Sequence, residues 1–233
     1  MPQDPPFPPD GDLDWRVTRT LRDGTVVTLR PIVPDDAEEI RRGWRALSPR
    51  SRYLRFMSIS PEPSADTLHY LTHVDQKDHV AIGATIASAD LKTERGVGVA
   101  RFVRLKGTDV AEAAITVADD MQRKGLGTVL AYELERAARA RGIKTLRAEV
   151  HESNTVMRRS LERAGAVPTS TNAGSVAYDL DLETHEAAPF SLPGVFREVT
   201  KTLMSLLASA TSEAGDERSE PEDDAGSAGP RGT

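Results

Sequence analysis

The sequence has no cysteine and no long hydrophobic run, and each absence excludes classes of protein. Without cysteine among its 233 residues, the chain forms no disulfide, thiolate zinc site or iron–sulfur cluster, and it has no cysteine nucleophile. No apolar stretch approaches the roughly 20 residues that a membrane-spanning helix needs. The N-terminus is acidic and rich in proline, whereas a secretory signal is basic and then hydrophobic. We therefore expect a soluble cytoplasmic protein with no membrane partner.

Acidic charge is concentrated at the two ends of the chain. Residues 1–14 carry four Asp and no base, and residues 183–233 carry ten acidic against four basic residues. Residues 15–182 hold 26 Lys and Arg against 22 Asp and Glu, a net charge of +4. Nucleic-acid-binding proteins usually show a dense basic stripe, which this balance does not provide. We expect no nucleic-acid partner, but this charge balance is compatible with a ligand that carries phosphate.

Composition predicts one domain, residues 15–182, between two polar tails. Five prolines in the first nine residues predict that residues 1–14 are disordered and contribute nothing to the core. Residues 211–233 hold seven acids, two bases and no large apolar residue, which predicts a disordered acidic tail. Residues 183–210 are interpreted as a linker and an amphipathic helix over 195–210, which could dock on its own domain, form a homodimer or recognise a partner.

Hydrophobic periodicity predicts a mixed α/β sheet with one crossover unit. The fold class differs from a doubly wound dinucleotide fold, because several antiparallel strands precede a strand–helix–strand–helix–strand half. The predicted strands are 26–30, 79–87, 96–105, 110–117, 144–150 and 176–182. The predicted helices are 34–47, 64–73, 125–141 and 154–164, the third closed by Gly142 and the last by Gly165.

The most informative stretch runs from a strand at Val117 through a polar loop into a helix. Glycine at 125 and 127 leaves the backbone open to a ligand, and Arg123 and Lys124 add positive charge. Free amides and the helix dipole make such a terminus an anion site. The spacing fits neither the Walker loop nor G-x-G-x-x-G. Two glycines in a strand-to-helix turn also occur for steric reasons alone, so the loop by itself leaves phosphate binding open.

Residues 122–127, QRKGLG, resemble the Q/R-x-x-G-x-G/A motif of the GNAT N-acetyltransferases, and the likeness extends over about residues 22–182. Asn154 and Gly165 with the helix between them resemble the next motif of that family, N-x-x-A-x-x-x-Y-x-x-x-G-F. Four segments further resemble the acetyltransferase domain of bacterial Pat-type protein lysine acetyltransferases: SRYLRF at 51–56, LTHVD at 71–75, VARF at 99–102 and VAE at 110–112. The resemblance implies the GNAT fold, a strongly twisted mixed sheet flanked by helices.

The resemblance also implies acetyl-CoA as cosubstrate, no metal, and a set of site residues. In the Pat-type relatives a glutamate early on the strand before the loop acts as general base, and Glu112 occupies that position. A solvated strand residue is the simpler alternative for Glu112. The residues implied to bind the cofactor are Val117, through its backbone, and Gln122, Arg123, Lys124, Gly125, Leu126, Gly127, Thr128 and Asn154. For Asn154 a plain helix N-cap is the alternative.

The chain departs from the family motif at three positions. Leu161 stands where many GNAT enzymes have a tyrosine that protonates the departing thiolate, and Ala166 replaces the phenylalanine. Met157 replaces the motif alanine, and we expect it to narrow the slot for the pantetheine arm. Because a thiol has a pKa near 8.5, the thiolate leaves readily and the missing tyrosine need not abolish turnover.

Other candidate residues carry a weaker signal. His151 follows a strand near the expected thioester end and is an alternative base to Glu112. His69 and His73 have the spacing of two metal ligands on a helix, but a surface pair is the simpler interpretation. The pair Arg158-Arg159 could contact the 3′-phosphate of coenzyme A or merely form an exposed basic face.

These observations predict an acetyl-CoA-dependent N-acetyltransferase whose acceptor is a primary amine, foremost a protein lysine. Two alternatives stay open. One is acetylation of a small amine such as an aminoglycoside or a polyamine. The other is a catalytically silent sensor that binds acyl-CoA, which the replacement at Leu161 would allow.

Overall fold

The computed structural model describes residues 7–8, 10–56, 62–87, 93–172 and 174–185. Eight strands of this part of the chain form one sheet in the order β1-β2-β3-β4-β5-β6-β8-β7, with only β5 and β6 parallel among the paired strands. The strands are β1 Val17–Thr20, β2 Val26–Pro31, β3 His79–Ala87, β4 Glu94–Arg104, β5 Val110–Val117, β6 Thr145–His151, β7 Val167–Asn172 and β8 Ser175–Asp181. The helices are α1 Ala37–Ala46, α2 Pro49–Phe56, α3 Ala65–Thr72, α4 Leu126–Ala140 and α5 Thr155–Arg163.

Local sequence signals set the helix ends. The Ser64 side chain accepts a hydrogen bond of 3.1 Å from the Thr67 amide and caps α3. Such a cap satisfies an amide that has no partner within the helix. Gly142 follows α4 with a φ of +69°, a conformation that L side chains rarely adopt. The glycine therefore ends the crossover helix and turns the chain into β6.

Helices cover both faces of the sheet. α4 packs on β3, β4 and β5 and inserts Leu126, Leu130 and Leu134 into the main core, while α5 adds Met157 and Leu161 to the same cluster. α1 and α3 pack together on the other face, where α1 contacts β4. Because successive strand residues point to opposite faces, each residue of β5 lies on either the α4 side or the α3 side.

The predicted mixed sheet and its single parallel pair are confirmed, as are all six predicted strands and all four predicted helices within a few residues at their ends. Three elements were missed. β1 is only four residues long, and α2 holds three arginines in eight residues. β7 is exposed at every position and contains Pro168, so its sequence carries no alternation of apolar and polar residues.

The expectation that residues 1–14 contribute nothing to the core is wrong at Phe7. Its ring is partly buried, lies 5.2 Å from the Trp15 ring and sits 5.0 Å beneath the Arg141 guanidinium. Packing this apolar ring against the core and the guanidinium is more favourable than leaving the ring exposed to water. The predictions for the 195–210 helix and the 211–233 tail lie outside the described residues. Within the described part, every helix is too short or too polar to cross a membrane.

Candidate active site

A gap opens between the two parallel strands at the centre of the sheet. β5 and β6 pair at only three positions, from Val110 with Thr145 to Glu112 with Arg147. Both strands continue beyond this point, over residues 113–117 and 148–151. β5 remains paired with β4 up to Val117, so the edge that turns away faces β6. The result is a V-shaped cleft with Glu112 at its base and backbone along its wall.

Glu112 is nearly buried and lies on the face of the sheet that α3 covers. Only 8% of it is exposed, and its cross-strand neighbours are Val103 on β4 and Arg147 on β6. Arg147 donates two hydrogen bonds of 2.7 Å to Asp179 on β8. These bonds, with a smaller contribution from Glu112, raise the pKa of Arg147. The carboxylate therefore stands at the base of the cleft beside an ion pair rather than in open solvent.

The loop at the other end of β5 has the geometry of an anion site. A short 3-10 turn, Asp119–Met121, leads into residues 122–125, and α4 begins immediately afterwards. Gly125 is the N-cap with a φ of +97°, and Arg123 has a φ of +67°. A positive φ is unusual for a residue with a side chain, and such strain often marks ligand sites. Residues 112 and 117 are five apart, so the loop lies roughly 16 Å along the strand from Glu112.

A third cation reaches this loop from a distant part of the sequence. The Arg22 amide donates a 3.2 Å hydrogen bond to the Lys124 carbonyl. The Arg22 side chain lies over Gly125, with Cγ 3.5 Å from where a Cβ on that glycine would stand. Asp23 lies 3.4 Å from the Lys124 ammonium. The turn between β1 and β2 thus adds Arg22 to Arg123 and Lys124 around the start of α4.

Comparison with known proteins decides which family has this arrangement. The family model described as acetyltransferase (GNAT) domain matches residues 27–167. The chain belongs to the GNAT acetyltransferase family. Acetyltransferase Pat of Mycolicibacterium smegmatis is 33% identical over 197 residues, which are 80% of this chain and 56% of that protein. The chain therefore spans little more than half of that relative.

Two solved structures share this fold. The GNAT domain of S. lividans PAT matches with a TM-score of 0.65 and 31% identity, covering 72% of this chain and 97% of that one. The PaiA N-acetyltransferase of Thermoplasma acidophilum, solved in complex with coenzyme A, matches with a TM-score of 0.50 and 17% identity over 66% of this chain and 98% of that one. At that identity the second likeness shows the fold alone.

The side chains of the loop and helix start, residues 122–128, differ in their contacts. Gln122 donates a 2.6 Å hydrogen bond to Asp119 and a 3.4 Å hydrogen bond to the Val117 carbonyl, so its amide holds the loop in shape. Leu126 is 1% exposed and belongs to the core; only its backbone is placed to meet a ligand. Gly127 and Thr128 lie in the first turn of α4, and the Thr128 amide donates a 3.1 Å hydrogen bond to the Gly125 carbonyl.

Asp119 ties the loop before α4 to the start of helix α2. Its carboxylate accepts a 2.5 Å hydrogen bond from the Ser51 hydroxyl and a 2.9 Å hydrogen bond from the Ser48 amide. Together with the bond from Gln122, these contacts join the start of α2 to the turn before the loop. Neither Arg22 nor Asp119 was singled out from the sequence. Asp119 is 68 residues from Ser51 and 71 from Ser48, and Arg22 is about 100 residues from the loop, so no local pattern signals these contacts.

The second GNAT motif is largely structural here. Asn154 accepts a 3.1 Å hydrogen bond from the Met157 amide and caps α5. Leu161 is buried in the core and places no acid at the motif tyrosine position. Met157 is 1% exposed and also packs in the core. The expectation that it narrows the slot for the pantetheine arm stays a prediction.

The remaining candidates are not brought to the base of the cleft. His151 ends β6, four residues beyond Arg147, and its ring lies 5.5 Å from the Tyr53 ring. The His69 and His73 rings stack 3.6 Å apart, and no group of three possible metal ligands occurs in the described ranges. Arg158 donates a 3.0 Å hydrogen bond to the Tyr178 hydroxyl, a contact that secures α5 to β8.

Proposed function

We propose that this GNAT domain transfers the acetyl group of acetyl-CoA to a primary amine, with a protein lysine as the acceptor. The observation that carries the proposal is the cleft between β5 and β6. It has a nearly buried carboxylate at its base and a cationic, glycine-containing helix start at the end of the same strand. The identity to Pat and to the S. lividans PAT domain supports lysine over a small amine.

The residues present fit a coenzyme A thioester. Acetyl-CoA supplies an acetyl group activated as a thioester and a diphosphate at the other end of a long arm. The amides of Gly125, Leu126 and Gly127 at the start of α4 would hold the diphosphate, with Thr128 beside them. Arg22, Arg123 and Lys124 would balance its charge. The unpaired edge of β5 near Val117 offers backbone groups to the amide-containing arm. The complex of the Thermoplasma relative with coenzyme A supports this assignment.

Glu112 is the group that we assign as general base. A lysine amine has a reference pKa of about 10.4 and is protonated at neutral pH, so it must lose a proton before it attacks. A carboxylate at the base of the cleft takes that proton directly or through one water. No acid replaces the motif tyrosine at Leu161. The thiol of coenzyme A has a pKa near 8.5, so its thiolate can leave without a general acid at this position.

The wider setting is part of the same proposal. We propose a cytoplasmic enzyme with residues 15–182 as its catalytic domain, and with neither a metal nor a nucleic-acid or membrane partner. A homodimer through the 195–210 helix remains a prediction, since that helix lies outside the described residues.

The test compares Glu112→Gln with Glu152→Gln. Glutamine keeps the shape of Glu112 and removes its ability to accept a proton, so calorimetry should show nearly unchanged acetyl-CoA binding while turnover falls about 10²- to 10⁴-fold. The deficit should shrink as the pH approaches the pKa of the amine. Glu152 is exposed in the turn after β6, and its variant should keep full turnover.

Three results would overturn parts of the proposal. Near-normal turnover of a folded Glu112→Gln, with chemistry rate-limiting, would remove the base assignment and favour His151 or water. Thiol release with small amines but not with lysine-containing proteins would replace the acceptor. Tight coenzyme A binding with no turnover for any amine would indicate the silent sensor.

A further inference from the structure

One carboxylate, that of Asp119, holds both the loop before α4 and helix α2, although the proposed reaction does not use it. Its Oδ1 accepts a 2.5 Å hydrogen bond from the Ser51 hydroxyl and a 2.6 Å hydrogen bond from the Gln122 side-chain amide. Its Oδ2 accepts a 2.9 Å hydrogen bond from the Ser48 amide. Both oxygens of this side chain therefore act as acceptors, and they join two segments that lie about 70 residues apart in the chain.

On the loop side, these bonds support an unfavourable backbone shape. Gln122 also donates a 3.4 Å hydrogen bond to the Val117 carbonyl, so it links the end of β5 to Asp119. The next residue, Arg123, has a φ of +67°. This conformation is uncommon for a residue with a side chain and persists where the surrounding contacts enforce it. The contacts of Asp119 thus help to set the position of the helix-start amides that we assign to the diphosphate.

On the other side, α2 touches both walls of the cleft at its open end. The Ser51 hydroxyl contacts Asp119, which lies two residues after the end of β5. The Tyr53 ring lies 5.5 Å from the ring of His151, the last residue of β6. The two strands have separated at this level, because their pairing extends over only three residue pairs. Helix α2 therefore bridges the cleft at the end where the cofactor loop begins.

Helix α2 is too short to be stable by itself, so its contacts decide its position. It has eight residues, whereas isolated helices shorter than about 12 residues are marginal in water. Among its described side chains, those of residues 49–53, only Ser51 is buried. Arg52 secures the helix to the end of α1, since it donates a 3.1 Å hydrogen bond to the Leu47 carbonyl and lies 4.6 Å from the Trp44 ring. The carboxylate supplies an attachment on the cleft side.

We propose that Asp119 is a positioning residue that couples the coenzyme A loop to α2, so that binding of coenzyme A and fixation of α2 across the cleft strengthen each other. The inference rests on the proposed coenzyme A site. Because one side chain holds both segments, a ligand that keeps the loop in its binding shape also favours the docked α2. Such coupling is reciprocal, and typical values begin at about fivefold in affinity. We expect a value at this lower end, because Asp119 is exposed and interactions of exposed charges are weak.

The test measures coenzyme A affinity by calorimetry in Asp119→Asn, Ser51→Ala and the double variant. Asparagine has one acceptor oxygen and turns an NH2 group toward the remaining donors, so Asp119→Asn should bind coenzyme A about fivefold more weakly. Loss of the negative charge alone would favour an anionic ligand, so electrostatics predicts the opposite sign. Ser51→Ala, which changes α2 and not the loop, should also weaken binding. The double variant should bind no more weakly than Asp119→Asn, because both changes break the same connection.

Two control variants separate the coupling from effects of charge and of stability. Asp120→Asn removes the neighbouring acid, which pairs with Arg95, and Ser64→Ala removes the side-chain cap of α3. Neither control should weaken coenzyme A binding. Equal losses in the controls, additive losses in the double variant, or unchanged affinity in a folded Asp119→Asn would overturn the inference.

Hydrogen exchange on the unmodified protein covers the case in which the variants do not fold. Saturating coenzyme A should slow the exchange of the α2 backbone amides, and this slowing should be lost in a folded Asp119→Asn; unchanged rates in the unmodified protein would overturn the coupling. If the unmodified protein bound no coenzyme A, the proposed function would fail and the coupling with it. If it bound coenzyme A and the variants bound it equally well, only the coupling would fail.

Discussion

The two glycines of the cofactor loop should respond in opposite ways to the same substitution, because they differ in backbone conformation. Gly125 precedes α4 with a φ of +97°, whereas Gly127 lies inside the first turn of the helix. If Gly127 is present to let a diphosphate approach the backbone, its replacement should damage binding and spare folding. If Gly125 is present for its conformation, its replacement should damage folding as well.

The expected changes in stability and in coenzyme A affinity follow from the structure. A Cβ on Gly125 would stand 3.5 Å from Arg22 Cγ, which is ordinary contact, so the cost of Gly125→Ala is the left-handed strain of about 1–2 kcal/mol. In a domain of this size that lowers Tm by about 3–6 °C. Gly127→Ala should be neutral or stabilising by up to about 1 kcal/mol, since alanine favours helix. Gly127→Glu adds bulk and negative charge and should weaken coenzyme A binding at least about tenfold, or about 1.4 kcal/mol.

The assay pairs thermal unfolding with calorimetric titration of coenzyme A for all three variants. The expected pattern is a lower Tm for Gly125→Ala only, and weaker binding for Gly127→Glu at an unchanged Tm. Unchanged coenzyme A affinity in a folded Gly127→Glu would refute the placement of the diphosphate. An unchanged Tm for Gly125→Ala would refute the conformational role of that glycine.

Local sequence patterns predicted the elements that build the cleft. Each of these patterns lies within one strand or one turn: the alternation over 110–117, the glycines of the loop, and the helical spacing of Leu126, Leu130 and Leu134. They predicted the ends of β5 and α4 within about a residue. β7 was not predicted, because an edge strand with both faces exposed shows no regular spacing of apolar residues.

The charge environment of the candidate site could not be predicted in the same way. Arg22 reaches the loop through a turn about 100 residues earlier in the chain, and Arg147 stands opposite Glu112 only once β5 and β6 pair. Arg147 lies far from Glu112 in the chain, so no local pattern marks the two as neighbours. Resemblance to the GNAT family indicated Glu112 and the loop, but their charged neighbours come from segments that are distant in the chain.

Two further predictions concern charges. Arg22→Gln should weaken coenzyme A binding about three- to tenfold at low ionic strength and much less in about 0.5 M salt, because an exposed charge is screened; an equal loss at both salt concentrations, or a similar loss in the control Arg16→Gln, would argue against a phosphate contact. The other concerns Glu135 on α4, which is 2% exposed and whose pKa burial raises from 4.5 to about 7. Between these values the folded protein holds a proton that the unfolded chain has released, so this contribution to stability is complete below about pH 4.5 and is lost as the pH rises through 7. Urea unfolding should therefore show the free energy of unfolding falling from pH 5.5 to 8.5 more steeply in the unmodified protein than in Glu135→Gln, by about 1–3 kcal/mol. Parallel pH profiles would mean that Arg139, which lies 3.2 Å away, compensates the buried carboxylate fully and that it is ionised throughout.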